Sequence, residues 1–217
     1  MNSWPGEELV FFPLEVTPGP PLSLREFLAE RGLPVRAEVF WGFAITPLPL
    51  PKSADPHPQG ADDYTFLQSH TVPAAGRRPA GDYWLIACDA PDPYISIYHP
   101  FLIGVNKATN AIESFLPPHS HTMIFPVNKS VEAFVESLWI HRLFCKRYWD
   151  GPQISEAAEA ALVRDLWAAL ETTDPEAFLK PDDVMQPRGF WALMIDSYRE
   201  MVGGADSEQK QSEGRDA

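Results

Sequence analysis

The sequence predicts an α+β domain, a mostly antiparallel central sheet flanked by an N-terminal helix and several C-terminal helices. Three observations predict it. Between residues 83 and 127 the chain runs in short apolar segments separated by turn residues, which is the spacing of strands. After Ser130 the apolar residues recur at helical intervals instead. Strands first and helices last is an α+β order, and the short connections in the strand block favour antiparallel neighbours. A length of 217 residues, 45% hydrophobic and 22% charged, suits one globular domain with a substantial core.

Residues 1–21 read as an extended arm, because VTPGPP precedes Leu22. Leu9, Val10, Phe11 and Phe12 are nevertheless apolar enough to pack. In LREFLAERG, Leu24, Phe27 and Leu28 have helical spacing. Ser23 is the expected N-cap with Glu26 as its capping-box partner, and Gly32 followed by Pro34 is the stop. Ala37 to Ile45 is one strand candidate. Residues 47–63 carry grouped prolines and aspartates and read as a surface loop. Tyr64 to Leu67 is a short edge strand, and residues 73–82 are a turn region.

Tyr83 to Cys88 (YWLIAC) is an apolar strand, DAPDP a turn and YISIY a strand resumed at Tyr94. Phe101–Val105 and Ala111–Phe115 flank NKATN as a hairpin. His121–Val127 is the last strand, placed at an edge by Pro126. A long helix starts near Val131, capped by Asn128 or Ser130. It presents Val131, Phe134, Val135, Leu138, Cys145 and Trp149 on one face and ends at Gly151-Pro152. Ser155–Leu170 is a second helix with the stripe Ala158, Leu162, Leu166 and Ala169. Arg188–Val202 closes the domain with Phe190, Trp191, Met194 and Tyr198. Residues 203–217 lack large apolar side chains and are expected to be disordered.

Seventeen basic and 30 acidic residues leave a net charge of −13. That argues against direct binding of nucleic acid or of an anionic membrane, and suits a basic protein partner steered by the field. No stretch approaches membrane-spanning length, and the N-terminus has acids where a signal peptide needs bases. Two cysteines, Cys88 and Cys145, are too few for a disulfide framework and fit reduced thiols in the cytoplasm.

No phosphate loop, dinucleotide fingerprint, zinc helix or nucleophile elbow is present. His119 and His121 share a side if extended, but want a third metal ligand. His141 and Cys145 face the same way one helical turn apart, the beginning of a nucleophilic site, yet on a face that reads as core. We therefore assign no catalytic residues, no metal and no cofactor. Arg142, Lys146 and Arg147 complement the C-terminal dipole of the long helix. The expected partner-binding residues are Trp41, as an exposed anchor with Trp4, and the turn acids Asp62, Asp63, Asp89 and Asp92, as a negative surface.

Four pieces carry a resemblance. PLSLREFLAERGLP at 21–34 ends a helix in a Gly-Leu-Pro turn. The strand block runs from Tyr83 to Phe115. FPVNKSVEAFVESLW at 125–139 joins a strand to a helix through an Asn-x-Ser turn. Trp191 follows a helix and an acidic turn. In this order the chain resembles the SUKH superfamily, particularly its fourth group of immunity proteins, over about residues 20 to 202. The resemblance makes 22–202 a single SUKH-like domain. It implies a cytoplasmic, non-enzymatic bacterial protein that binds a cognate toxin, often a nuclease or deaminase, and neutralises it by occlusion. The alternative it leaves open is a non-catalytic regulatory or scaffolding domain of the same fold. The matched positions Gly32, Leu33, Pro34, Asn128, Ser130, Phe134 and Trp191 look structural.

Overall fold

The computed structural model describes residues 4–11, 20–34, 37–40, 43–47, 50–51, 64–65, 69–72, 81–91, 102–115, 124–178 and 189–213. The chain is α+β, with every strand pair antiparallel. After a 3-10 turn at Gly6–Glu8, β1 (Leu9–Val10) pairs with β2 (Leu33–Pro34). The arm is therefore docked rather than free. Between these strands lies α1 (Leu22–Glu30), entered from Pro21 without a side-chain cap. Ser23 thus sits inside the first turn and not at the cap expected for it. Gly32, at φ +69°, ends the helix in the left-handed conformation that glycine adopts without a Cβ penalty.

The expected strand at Ala37–Ile45 is instead two strands of a hairpin, β3 (Ala37–Phe40) and β4 (Phe43–Pro47). β5 (Leu50–Pro51) pairs with β6 (Tyr64–Thr65) as a separate two-stranded sheet. β7 (Ser69–Val72) and β8 (Gly81–Pro91) follow. The strand therefore runs through Asp89, Ala90 and Pro91, where turn residues predicted an end. Backbone pairing with β4 overrides that local preference. Tyr94–Tyr98 lies outside the described residues. The hairpin of β9 (Leu102–Asn106) and β10 (Ile112–Phe115) is as expected. Its turn is held by Asn106 Oδ1, which accepts from Ala108 N at 2.9 Å, and by Asn110 at φ 60°. β11 (Ile124–Asn128) completes the strands.

The main sheet has the order β11-β10-β9-β8-β4-β3, and β7 also pairs with β8. β9 covers Tyr83–Cys88 on one side of β8. β4 (on 87–91) and β7 (on 81–84) must then share its other edge in succession. Leu85 and Ala87 face consecutive residues of β9, Gly104 and Ile103, so Ile86 is an extra, bulged residue. The bulge lets Leu85, Ile86 and Ala87 all be buried. Pro126 is exposed on the edge strand, where its missing N–H costs no ladder bond.

α2 (Val131–Trp149) begins two residues after β11, at the cap predicted for it: Ser130 Oγ accepts from Ala133 N at 3.2 Å. It touches β11 at one edge of the sheet and β3 at the other. Nineteen helical residues span about 28 Å, and five strand spacings about 24 Å, so α2 is long enough to cross the whole sheet. α3 (Glu156–Thr173) is capped by Ser155 and packs on α2 and on α4 (Phe190–Glu213). α4 continues to Glu213, past the point where composition predicts disorder. One core joins Leu28 of α1, Ile86, Ile103 and Ile112 of the sheet, and Phe134, Leu166 and Ile195 of the helical layer.

Candidate functional site

Two clusters of polar side chains stand on α2, one at each end. The first is a buried joint at its N-terminus. Asn128, 3% exposed, donates from Nδ2 to Ser137 Oγ at 3.1 Å and to Asp174 Oδ2 at 3.2 Å. Its Oδ1 accepts the Trp191 indole N–H at 3.0 Å. Asp174 Oδ2 also accepts from Lys129 N at 2.6 Å. The turn backbone is thus satisfied by Asp174, where the sequence suggested the Asn128 side chain. Asp174 is placed by the end of α3, where its own N–H still bonds Leu170 O. β11, α2, α3 and α4 meet at this one point. Asp174 Oδ1 has no partner among the described residues, but the remaining bonds fix the relative positions of four elements. The joint is structural, as the resemblance implied for Asn128 and Trp191.

The second cluster lies toward the C-terminus of α2. His141, 1% exposed, is surrounded by the rings of Phe144, Trp191 and Tyr198, with centroids 5.9–6.0 Å away. Its Nε2 is 3.1 Å from Tyr198 Oη, and Cys145 Sγ is 3.5 Å from its Nδ1. Burial, and after it the neighbouring Cys145, hold the Tyr198 hydroxyl far above the usual phenol range. Tyr198 therefore stays protonated. The expected pairing of His141 with Cys145 is present, but the thiol is half-buried rather than sealed in the core.

Cys145 lines a surface groove of about 290 Å³ with Trp4, Ala37, Arg142, Lys146, Trp149 and Asp150. One wall comes from the arm. Glu8 and Arg142 form a bidentate ion pair, with Nη2 to Oε1 at 2.8 Å. Arg142 also lies 4.7 Å over the Trp4 ring, and Trp4 meets Trp139 edge-on at 5.2 Å. The Arg142 hydrogen bond, and its charge, lower the Glu8 carboxyl below its ordinary value. The two tryptophans exchange the roles expected of them. Trp4 is 6% exposed, whereas Trp149, assigned to the core face, is 54% exposed. Helical periodicity places Trp149 on the right side, but the helix has run beyond the core by then.

Of the expected partner-binding residues, Trp41, Asp62, Asp63 and Asp92 lie outside the described residues, as do His119 and His121. Asp89 is in β8 as the backbone partner of Ile45, two pairs before Phe43 with Pro91 ends that ladder. Of these acids only Asp89 is among the described residues, and it is not part of the lining of the α2 groove. Exposed acids are found on α3 at Glu156, Asp165 and Glu171, with Arg164 among them. Sequence reasoning missed Glu8 and Asp174. Each meets its partner across more than 40 residues of chain, and no local motif marks such a pairing.

Among the described residues no group of three His, Cys, Asp or Glu side chains is placed to hold a metal ion. No helix among them is long and apolar enough to cross a membrane. No curated protein and no solved structure matches the chain. A family model does match: that of the SUKH-4 immunity proteins, over residues 6–197. The match takes in the docked arm, the sheet, the Asn128 joint and α4 as far as Ser197. The chain belongs to the SUKH-4 immunity protein family.

Proposed function

We propose that this protein binds a cognate toxin of the nuclease or deaminase class in the cytoplasm, and neutralises it by covering its substrate cleft. The family match carries the reading, because immunity is the role that the family name states. The charge supports the finer part. A toxin that acts on nucleic acid must attract phosphate, so its cleft is basic, and a net charge of −13 steers such a surface toward this one. The reading needs no catalytic group, metal or cofactor on this chain. Its contacts are assigned to Trp41, Asp62, Asp63, Asp89 and Asp92, an aromatic anchor with an acidic surround.

Co-expression with the product of the adjacent gene, followed by size-exclusion chromatography, tests it. A stable one-to-one complex whose toxin no longer processes its substrate is the expected result. Single exposed charges are worth only about 0.2–1 kcal/mol, so Asp62, Asp63, Asp89 and Asp92 should be changed to Lys together. Binding should then weaken at least about 10-fold, mainly through slower association, and lose much of its salt dependence. Absence of any complex at micromolar concentrations would overturn the reading and favour a scaffolding role.

A further inference from the structure

We propose that Cys145 is a modification site, at which a small disulfide entering the groove forms a mixed disulfide with this chain. The inference is independent of toxin binding. It rests on three placements. The Cys145 thiol is reduced, half-buried and part of the groove lining, so a small molecule can reach it. His141 Nδ1 lies 3.5 Å from the sulfur, on the adjacent turn of the same rigid helix. Tyr198 stands 3.1 Å from the other ring nitrogen. With Nε2–H directed to Tyr198, Nδ1 is the acceptor for the thiol proton.

The groove supplies donors for the incoming molecule. Arg142 and Lys146 line it on the same side of α2 as Cys145, with Asp150 as the opposing charge. A volume of about 290 Å³ admits a small molecule and not a folded domain. The matching reagent is a low-molecular-weight disulfide that carries carboxylates.

The step balances. The Cys145 thiol gives its proton to His141 Nδ1. The thiolate attacks one sulfur of the disulfide, the S–S bond breaks, and the leaving thiolate takes the proton from the imidazolium. Cys145 ends oxidised in a mixed disulfide, and one molecule of small thiol is released. The groups facing this exchange are Cys145, His141, Tyr198 and Tyr148 within, and Arg142, Lys146, Asp150 and Glu8 around the mouth.

The test treats the full native chain with oxidised glutathione or with 5,5′-dithiobis(2-nitrobenzoate), and assigns adducts by peptide mapping. Cys145 should be labelled in the folded protein at least about 10-fold faster than in the same chain unfolded in urea at equal pH. The variant His141→Asn, checked for folding by circular dichroism, should lose about 10-fold or more of that rate. Labelling of Cys145 only after unfolding would overturn the proposal. So would a folded His141→Asn protein that reacts as fast as the parent. Neither result bears on toxin binding.

Discussion

Trp191 donates its indole N–H to Asn128 Oδ1 at 3.0 Å, tying the last helix to the end of the last strand across 63 positions of sequence. Both residues are essentially buried, and the same Asn128 amide serves Ser137 and Asp174 through its nitrogen. Replacing Asn128 by Ala leaves the Trp191 N–H and a buried carboxylate short of partners. The expected cost is about 3 kcal/mol, more than one ordinary hydrogen bond, because desolvated groups are stranded. Urea denaturation of Asn128→Ala against the parent measures it. A loss below 1 kcal/mol would show that water or rearrangement replaces the joint.

Tyr198 sets an alkaline limit. Its hydroxyl is held protonated in the fold, by burial first, while in the unfolded chain it ionises near pH 10. Above about pH 10 the unfolded state therefore binds fewer protons than the native state, and stability falls as pH rises. Below that pH the contribution is complete. Tyr148 is shifted in the same direction, chiefly by burial and then by Glu159. Thermal melts from pH 8 to about 11 should show a declining midpoint, with a shallower decline in Tyr198→Phe. An equal decline in that variant would remove Tyr198 from the account.

Glu8 latches the arm. Its carboxyl is lowered by Arg142, so the contribution is present above the ordinary carboxylate range and lost as pH falls through the lowered value. Because the pair is partly exposed, the effect should be local. In Glu8→Gln, amide exchange should accelerate over residues 4–10 while the global melting midpoint moves little. Unchanged exchange in that segment would assign the docking of the arm to Trp4 and the β1–β2 pair instead.

Gly32 has no room for a side chain. At φ +69° an added Cβ would lie 2.6 Å from the Val10 carbonyl oxygen. Gly32→Ala therefore strains the backbone and pushes β1 away from β2. A loss of about 1–3 kcal/mol by chemical denaturation is expected. A neutral result would show that the arm can shift without cost.

What could be read in the sequence was mostly what local chemistry decides. Ser130 caps the helix assigned to it, because a hydroxyl just before an apolar stripe acts within its own turn, and Ser155, read as the first residue of the second helix, is its cap. The β9–β10 hairpin was legible in NKATN for the same reason. The β3–β4 hairpin was not, since AEVFWGFAI is apolar apart from Glu38 and reads as one continuous strand. Asp89 to Pro91 was misread because its strand state comes from a partner some 40 residues earlier in the chain. The groove was illegible as a unit. Its walls belong to the arm and to α2, and Glu8 and Arg142 meet only once the fold exists. Periodicity also says which side of α2 faces inward, but not how far the core extends beneath it, hence the reversal of Trp4 and Trp149.

The pairing of Leu50 with Thr65 and of Pro51 with Tyr64 pinches off residues 52–63. That ladder is separate from the main sheet, so the pairing that aligns β3, β4 and β8 does not run through it. Changes of length or sequence between the ends of this ladder, where Asp62 and Asp63 stand, are therefore expected to leave the register of the main sheet as it is.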